Sequence, residues 1–554
     1  MGWAGQGSAG GKGKCEEPLR TPGHPPYASA MTNHPEPYGA WREPAVDPES
    51  QTSVTEHGRV AMRDWLKLSF VAALTLLVLT TAARIAAAII TRGEIDAISE
   101  VWLALSMDAA HDVLYRPLID ASGYGGTRYF PLQIVLQGAL VRATDDVIVS
   151  GYIVTMLALC TLLGAAYLAL RCLGTSRAAA AGFSALLLSS AAVQMAAVAT
   201  RGDILPAALA LVGFVACERA SRVARPWLAA LAGFLFGLAF LTKLSAVAGI
   251  VAGTVVLVLT RGWLFAAWVP TVFLATTTVG LAAFQYASDG RFFLVLAACA
   301  SGDTGFLWAL LSPYKLVRNV WGLTSVSSPF AVLAAMALPM MSIGSRFRPW
   351  SIYLASVLAT TLAIHADRSA ASNHLLDLEV AAALWLADGW VTKRLSSPLA
   401  MGAATVVAFI ASFNLLTAPG WGLLRRPDSH LGADYSAAAE LAVSKGAPIL
   451  SIAPLVPVLA RQRPFLLDPW MFHHLEVTKG GFAEDLQRRI ATGEFSAVVL
   501  HAPPSPLADI DAWLGPRTLE TVKEAYPIVQ HVGILDVRFR RPPDPQLPRS
   551  ALPQ

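Results

Sequence analysis

The sequence predicts a polytopic α-helical membrane protein with about eleven transmembrane helices and a small C-terminal extracytoplasmic α/β domain. Three observations predict this fold class. Only 14% of the 554 residues are charged and 55% are hydrophobic, whereas soluble domains have roughly 25% charged residues. The mean hydropathy is +0.51. Apolar runs of bilayer-spanning length recur between residues 66 and 416. Together these values argue against a soluble enzyme.

Charge and cysteine content argue against two further classes. The formal net charge is only +4, and most Lys and Arg residues fall in short loops between apolar runs, where they report orientation. We therefore expect no nucleic-acid partner. The five cysteines lack metal-type spacing and mostly lie in or beside apolar segments, so neither a zinc site nor a disulfide framework is predicted.

The N-terminal segment has a different composition from the rest of the chain. Residues 1–62 are rich in Gly, Pro, Ser and His and show no apolar periodicity. Such a segment cannot bury enough surface to offset the entropy of ordering. We expect it to be a disordered cytoplasmic tail.

Residues 63–416 are predicted to form the transmembrane domain. Eleven apolar runs lie at 66–90, 148–170, 178–199, 204–217, 227–241, 244–260, 263–287, 326–344, 350–365, 376–391 and 398–416. Several are shorter than the ~20 residues that a helix needs to cross a bilayer. The count is therefore open between ten and thirteen.

Basic residues assign the two faces of the membrane. They fall at alternate connections, at Arg171 and Arg177, at Arg219, Arg222 and Arg225, at Arg261, Arg346 and Arg348, and at Lys393 and Arg394. The positive-inside rule places these connections and the N-terminus in the cytoplasm. The first outer loop (91–147), the loop 288–325 and everything after residue 417 then lie on the opposite face.

Residues 417–540 have a different pattern. Apolar stretches shorten to strand length at 448–453 and 496–500, and segments with a helical pattern occur at 435–444 and 483–491. We predict a small extracytoplasmic α/β domain here, followed by a Pro-rich tail at 541–554.

Acidic residues open the first outer loop. Glu94 and Asp96 follow the first span directly, and further acids come at Glu100, Asp108, Asp112 and Asp120. A carboxylate near the headgroups, partly shielded from water, can serve as general base towards an acceptor hydroxyl. A solvated loop that simply carries acids explains the same residues.

The same loop then presents aromatic residues and an arginine. Tyr124, Arg128 and Tyr129 precede a short apolar stretch, 133–141, that is too short to span and that we place in the membrane interface. Arginine pairs with phosphate oxygens, and aromatic rings stack on sugars or prenyl chains. The cluster is thus a candidate site for a lipid-linked phosphate, although an aromatic belt at the headgroup level explains it equally well.

Three later turns on the outer face each carry a compact polar group. Arg201 and Asp203 lie between two apolar runs, Lys243 follows another, and Asn373, His374 and Asp377 lie at the outer end of the tenth. The positive-inside rule disfavours basic residues on this face, so Arg201 and Lys243 are candidate phosphate ligands. Snorkelling of single basic residues near helix ends is the alternative.

In combination these features resemble the GT-C glycosyltransferases, integral membrane enzymes that include protein O-mannosyltransferases, aminoarabinose transferases and mycobacterial arabinosyl- and mannosyltransferases. The resemblance covers about residues 66–416 and rests on layout and four short motifs. Glu94-Ile-Asp96 fits the acidic ExD form of the first outer loop, and Tyr129-Phe130-Pro131-Leu132 matches a segment that leads into an interfacial helix. Phe240-Leu-Thr-Lys243 and Asn373-His374-Leu-Leu-Asp377 are similar to segments of bacterial members.

The resemblance implies a hexosyl- or pentosyltransferase. It would move a single sugar from a polyprenyl-phosphate donor to a lipid, glycan or protein acceptor on the extracytoplasmic face, with inversion. Asp96 or Glu94 would be the catalytic base. Residues implied in binding the donor and its phosphate are Arg128, Tyr129, Arg201, Asp203 and Lys243, and those implied in a donor or acceptor pocket are Tyr124, Asn373, His374 and Asp377. No cofactor is certain, and a divalent Mg or Mn ion held by Glu94 and Asp96 stays open.

Two other functions stay open as well. A transporter or flippase of a lipid-linked substrate would place polar residues at mid-membrane, where Gln194, Gln285 and Glu379 are the candidates. A membrane-anchored scaffold would not require outer turns so rich in charge. The composition, rich in Ala, Arg, Leu and Pro, suggests a high-GC bacterium, and hence a multi-pass protein of the plasma (inner) membrane with a periplasm-facing site.

Overall fold

The computed structural model describes residues 48–93, 95–300, 305–322, 348–367, 370, 372–391, 397–417, 431–503 and 508–541. Residues 1–47, the predicted span 326–344 and most of the predicted tail 541–554 lie outside the described residues. Two compact units are present, Met1–Val60 and Ala61–Gln554. All tertiary contacts given below are within the second unit.

The first helix begins at Pro48 and ends at Thr91. The structure describes residues 48–62 as part of this helix, whereas composition predicts a disordered tail for residues 1–62. Pro48 stands at the first helical position, which suits its fixed φ, and few helix-breaking residues follow it. Proline and glycine are concentrated before Pro48.

Helices dominate the chain as far as residue 417. In chain order they are α1 (Pro48–Thr91), α2 (Ala97–Ala110), α3 (Pro131–Thr144), α4 (Val147–Cys172), α5 (Arg177–Leu186), α6 (Ala191–Val198), α7 (Ile204–Val223), α8 (Pro226–Thr242), α9 (Ala248–Arg261), α10 (Trp263–Ala266), α11 (Trp268–Ala287), α12 (Arg291–Cys299), α13 (Phe306–Gly322), α14 (Pro349–His365), α15 (Leu376–Val391) and α16 (Ser397–Thr417), with 3-10 turns at Leu187–Ser189 and Ser372–Leu375. Most predicted apolar runs coincide with one of these helices within a few residues.

Four described helical segments are long and apolar enough to cross a membrane: Asp64–Thr91, Val147–Cys172, Ile204–Val223 and Trp263–Ala287. The chain is therefore a multi-pass membrane protein. The predicted run 178–199 is instead a pair of helical segments, Arg177–Ser189 and Ala191–Val198, bent by 78°. Ser190 marks the break, because its side chain caps α6 by accepting from the N–H of Val193. The count of eleven spans stays a prediction.

Residues 431–541 contain a four-stranded sheet and short helices. The strands are β1 (Ile449–Ser451), β2 (Ala497–His501), β3 (Ile528–Val532) and β4 (Leu535–Phe539), in the order β1-β2-β4-β3. β1 and β2 are parallel, with Leu450 opposite Val498, and the other two pairings are antiparallel. The helices are α17 (Leu431–Val443), α18 (Leu455–Leu459), α19 (Pro469–Lys479), α20 (Phe482–Thr492), α21 (Ala508–Asp511) and α22 (Pro516–Ala525), with a 3-10 turn at Ala512–Leu514.

This C-terminal segment shares a hydrophobic core with the first outer loop. Val101 and Ile134 of the loop helices α2 and α3 belong to the same buried cluster as Tyr435, Val499 and Val537. Backbone hydrogen bonds also join the two, because the N–H of Tyr124 donates to Phe465 O at 2.7 Å and that of Leu467 donates to Tyr124 O at 3.1 Å. The loop and the C-terminal segment therefore pack as one body beside the candidate site.

Candidate active site

Asp96 lies at the start of helix α2. Its backbone is extended and its Oδ1 accepts from the N–H of Ser99 at 2.7 Å, so it caps the helix. Its Oδ2 forms an ion pair with Arg201 NH1 at 2.5 Å, and 44% of the Asp96 side chain remains exposed. A carboxylate oxygen can accept more than one hydrogen bond. The Asp96 side chain is thus fixed by two partners and still open to a substrate.

Arg201 and Asp203 occupy a tight turn between α6 and α7. Three side chains from other helices hold this turn: Ser99 accepts from Thr200 N, Gln137 donates to Thr200 O at 2.8 Å, and Thr155 donates to Ala199 O at 2.9 Å.

Gly202 allows the turn to pack closely against α2. A Cβ at Gly202 would come within 2.5 Å of the Trp102 ring. A larger residue would therefore push Arg201 and Asp203 away from Asp96.

Asp203 joins three neighbours across the site. Its Oδ2 lies 2.6 Å from Arg201 Nε, and its Oδ1 lies 2.8 Å from Lys243 Nζ. Asn373 Nδ2 donates to the same Oδ1 at 3.3 Å. We call Asp96, Arg201, Asp203 and Lys243 the charge cluster. Its members come from three separate parts of the chain and include both signs of charge.

Electrostatics favour the charged state of this cluster. Burial opposes ionisation of Asp203, but the adjacent Lys243 and Arg201 cations hold the pKa of that carboxyl well below its usual range. Burial also opposes the charge of Arg201, yet Asp203 and Asp96 raise its pKa. Lys243 keeps 23% of its side chain exposed. Asp203 therefore fixes two cations, of which Arg201 also pairs with the partly exposed Asp96 carboxylate.

Arg128 and Tyr129 approach the cluster from the first outer loop. The Tyr129 ring packs on Trp102, with centroids 5.0 Å apart. Burial, and then the nearby Asp468 charge, raise the pKa of Tyr129, and Arg201 and Asp96 also act on it electrostatically. The Arg128 guanidinium lies over the Trp470 ring, 4.1 Å from its centroid.

His374 and Asp377 lie behind the charge cluster. Both line a pocket with about 420 Å³ of empty volume, part of it open to the surroundings. The pocket lies among α7, α9 and α14, whose lining residues are mostly small or apolar. Asn373, one residue before His374, contacts Asp203. The third predicted turn thus reaches both the charge cluster and the pocket.

Two predicted residues are not placed with the others. Tyr124 is 1% exposed and packs in the C-terminal segment, where its ring contacts Phe465 and Phe472 and its hydroxyl donates to Asp485 at 2.7 Å. Glu94 lies outside the described residues. Within the part of the chain that is described, no group of three or more His, Cys, Asp or Glu side chains could hold a metal. The metal alternative at Glu94 and Asp96 therefore stays a prediction.

Sequence reasoning missed the contribution of the C-terminal segment to this region. Asp468 caps α19 and is 5% exposed, and burial raises its pKa to about 6. Trp470 follows two residues later and carries Arg128 on its ring. An Asp-Pro pair before an apolar run predicts only a helix start. No local signal in the sequence indicates that this helix start lies beside Arg128.

Comparison with known structures identifies the fold. No protein-family model matches the sequence, and no curated protein matches it. ArnT from Cupriavidus metallidurans superposes with a TM-score of 0.52 in the apo state and 0.53 when bound to undecaprenyl phosphate. Each comparison covers 86% of this chain and 98% of ArnT at 14% identity.

An archaeal protein shares the architecture as well. The oligosaccharyltransferase AglB from Archaeoglobus fulgidus, in complex with an inhibitory peptide and a dolichol-phosphate, gives a TM-score of 0.50 at 12% identity over 84% of this chain and 72% of its own. These identities are low, and what the comparisons share is architecture. The architecture expected from the resemblance is confirmed: the chain shares the fold of ArnT and of AglB.

Proposed function

We propose that the protein is a glycosyltransferase that moves a single sugar from a polyprenyl-phosphate donor to an acceptor hydroxyl on the extracytoplasmic face, with inversion. One observation carries the proposal. Asp96, at a helix start, pairs with Arg201, and a second carboxylate, Asp203, holds Arg201 and Lys243 together; all four come from turns predicted to face outward. The fold shared with ArnT bound to undecaprenyl phosphate supports a prenyl-phosphate donor.

In the proposed reaction the carboxylate and the cations have separate roles. Asp96 accepts the proton of the acceptor hydroxyl as that oxygen attacks the anomeric carbon of the donor sugar. The bond between the anomeric carbon and the phosphate oxygen breaks, and the polyprenyl phosphate leaves with the bonding electrons. Arg201 and Lys243, with Arg128 nearby, stabilise the negative charge on the leaving phosphate. A single displacement inverts the anomeric centre.

Asp203 has a positioning role in this proposal. It holds Arg201 and Lys243 at 2.6 and 2.8 Å, so neither cation needs to reorganise when the phosphate becomes charged. Because each cation has several N–H donors, binding Asp203 leaves donors for the phosphate.

The proposal includes a location. The donor's prenyl tail stays in the bilayer while its head reaches water, so the site belongs at the membrane surface. We infer a plasma-membrane protein of about eleven spans with a cytoplasmic N-terminus, and with residues 417–540 outside the membrane as an extracytoplasmic domain that covers the site. The lipid, glycan or protein nature of the acceptor stays open.

The transporter alternative depends on Gln194, Gln285 and Glu379, the polar residues predicted at mid-membrane. Gln194 and Glu379 are at most 5% exposed, and Gln285 Nε2 donates to Gly290 O at 2.6 Å. They are satisfied by one another or by neighbours: Gln194 Nε2 donates to Thr81 Oγ1 at 2.8 Å, and Ser190 donates to Glu379. Polar groups with such partners stabilise the bent helix pair, so they favour a structural role over a transport pathway.

The test is an Asp96→Asn variant. It keeps the shape and the helix cap but loses proton acceptance, so turnover should fall roughly 10²-fold to 10⁴-fold while protein level and donor binding stay near the parental values. Purified protein is assayed with a polyprenyl-phosphate sugar and an acceptor extract, and a parallel run with EDTA addresses the metal.

Asp146→Asn is the matched control. Asp146 also caps a helix, accepting from Ile148 N and Val149 N at 3.0 Å, and it pairs with Arg92 at 2.5 Å. It has no contact with the charge cluster, so its variant should transfer sugar normally. Parental turnover in Asp96→Asn, with Glu94→Gln inactive, would give the base role to Glu94. Normal turnover in both Asp96→Asn and Glu94→Gln would refute the proposed mechanism.

A further inference from the structure

We propose that Trp470, in the C-terminal segment, is a positioning residue that holds Arg128 ready for the phosphate of the donor. The inference rests on the proposed function, in which Arg128 lies near the leaving phosphate. It extends that function in one respect, because a residue from the C-terminal part of the chain becomes part of the phosphate site. The C-terminal segment then completes the site as well as covering it.

Backbone pairing brings the two residues together. Tyr124 and Leu466 form a parallel bridge, and backbone hydrogen bonds of 2.7 and 3.1 Å join Tyr124 to the residues on either side of Leu466. Arg128 lies four residues after Tyr124, and Trp470 lies four residues after Leu466. Because each residue of chain spans at most about 3.6 Å, the bridge limits how far the two side chains can move apart.

Trp470 is itself held in place. It lies in the first turn of α19, where Pro469 stands at the first helical position and Asp468 accepts from the N–H of Met471 at 3.0 Å. One turn later on the same helix, the His474 ring stacks on the Trp470 ring, with centroids 5.5 Å apart and an interplanar angle of 1°. The indole ring therefore offers a fixed surface.

Arg128 lies against this surface. Its guanidinium carbon is 4.1 Å from the centroid of the Trp470 ring, within the ~6 Å over which a ring attracts a cation. A guanidinium has five N–H donors at its rim, and a bidentate contact with a phosphate uses two of them. Attraction to a ring therefore orients the cation without taking an oxygen acceptor in place of the phosphate.

Tyr129 connects Arg128 to the charge cluster. It directly follows Arg128 in the chain, and the charges of Arg128, Arg201 and Asp96 all act on its hydroxyl. Its ring packs on Trp102 of α2, with centroids 5.0 Å apart, and α2 begins directly after the Asp96 cap. A cation fixed at Arg128 therefore lies near the charge cluster.

Negative charges make the orientation of these cations important. Asp203 holds Arg201 and Lys243, and the Asp468 carboxyl and Arg128 attract one another. A phosphate therefore competes with neighbouring carboxylates for each cation. Under this condition its affinity depends less on net charge than on N–H donors that already point at the phosphate.

The experiment measures dissociation constants of two probes on the purified full-length chain in detergent. Undecaprenyl phosphate carries the phosphate, and undecaprenol has the same tail without it. Trp470→Ala should weaken binding of undecaprenyl phosphate about 3-fold to 30-fold and leave binding of undecaprenol unchanged. Trp470→Phe keeps an aromatic face for the cation and should retain most of the affinity.

A double-mutant cycle identifies the residue through which Trp470 acts. Arg128→Ala should weaken binding of undecaprenyl phosphate at least as much as Trp470→Ala does. In the Arg128→Ala background, Trp470→Ala should cause no further loss, because the cation that the ring holds is absent. Losses that add would show that Trp470 acts independently of Arg128, and they would overturn the inference.

Phe539→Leu provides a control from the same segment. The Phe539 ring also attracts a cation, because Lys445 Nζ lies 5.9 Å from its centroid. Among the described residues neither of the two contacts the charge cluster, so this variant should bind both probes like the parent. Thermal unfolding of each variant shows whether the chain is folded.

Each contrary result has a distinct meaning. If Arg128→Ala weakens binding of undecaprenyl phosphate and Trp470→Ala does not, the positioning role is overturned and the proposed function stands. Parental binding by Arg128→Ala also overturns the inference. Equal loss of undecaprenol in Trp470→Ala would show that Trp470 only stabilises the segment, which overturns it as well. Failure of the parental chain to bind undecaprenyl phosphate overturns the proposed function itself.

Discussion

Two groups of buried charges differ in what surrounds them. In the charge cluster, Asp203 is 5% exposed while Asp96 keeps 44% of its side chain exposed. Asp108 and Arg116, which we call the junction pair, lie 2.5 Å apart and are each 4% exposed. Arg116 also donates to Pro464 O of the C-terminal segment at 2.7 Å.

Both groups contain ion pairs between buried partners, so burial does not distinguish them. They differ in whether solvent and substrate can reach the charged groups. The junction pair is sealed between the first outer loop and the C-terminal segment, so no substrate can reach it. The charge cluster keeps a partly exposed carboxylate, Asp96, and a partly exposed lysine, Lys243. Both regions therefore contain buried charges, and only the partial exposure of charged side chains in the charge cluster indicates a catalytic site.

The largest effect should come from the junction pair. Arg116→Met removes the nearer cation of the buried Asp108 carboxyl and leaves only Arg463, whose Nε lies 4.0 Å from Asp108 Oδ1; breaking a buried pair costs about 3–5 kcal/mol. We expect a clearly lower unfolding midpoint in detergent. Folded protein at low temperature should still turn over normally, because the junction pair has no contact with the charge cluster.

Two controls sharpen this prediction. Arg461→Met removes a pair with Asp145 that also links the loop to the C-terminal segment but is over 80% exposed on both sides, and an exposed pair contributes about 0–1 kcal/mol. The double variant Asp108→Leu with Arg116→Met removes both charges and should recover much of the lost stability. A double variant as unstable as the single one would show that the ion pair was not the cause.

The second effect concerns Asp203. Asp203→Asn keeps the shape but removes the charge that orients Arg201 and Lys243, and a displacement of about 1 Å in a catalytic group can cost 10²-fold. We expect turnover to fall roughly 10²-fold with a smaller loss of stability than in Arg116→Met. Asp289→Asn, which removes an exposed pair with Arg291 at 2.8 Å, should leave turnover unchanged. Wild-type turnover in Asp203→Asn would show that the charge cluster, like the junction pair, has only a structural role.

The sequence predicted the members of the charge cluster better than their contacts. Arg201 and Lys243 were candidates because basic residues on the predicted outer face depart from the positive-inside rule, and this signal needs only the order of the apolar runs. The contact between Asp203 and Lys243 could not be predicted from the sequence. The two residues are 40 positions apart, and side-chain contacts at that separation have no fixed spacing. The same limit applies to Arg128 and Trp470.

The role of Tyr124 could not be decided from the sequence. An aromatic residue in a Gly-rich outer loop fits a sugar platform, a membrane belt or a packing contact. The structure puts it in contact with residues 465–482, and Gly123 permits this approach, since a Cβ there would lie 2.0 Å from Phe465 O. Only the docking of a segment more than 300 residues later decides between these roles.

A pH-dependent effect links the two regions through Glu100, which lies four residues after Asp96 at the start of α2. Glu100 is 1% exposed, and its Oε1 accepts from the Tyr435 hydroxyl at 2.6 Å. Burial raises the pKa of Glu100 to about 8, although the Tyr435 hydrogen bond opposes the shift. The folded chain therefore binds a proton that the unfolded chain releases above a pKa of about 4.3.

The sign of the pH dependence follows from this difference. A folded-state pKa above the unfolded value gives stability that is fully present below pH 4 and is lost as the pH rises towards 8, at up to about 1.4 kcal/mol per pH unit. Glu100→Gln keeps the size and an acceptor for Tyr435 but cannot ionise, so its unfolding midpoint should fall less between pH 5 and pH 8. Glu440→Gln, at an exposed position on the same helix as Tyr435, should follow the parental profile. If Glu100→Gln tracks the parent across this range, Glu100 is ionised in the folded state, and a fixed negative charge would then lie one helical turn from Asp96.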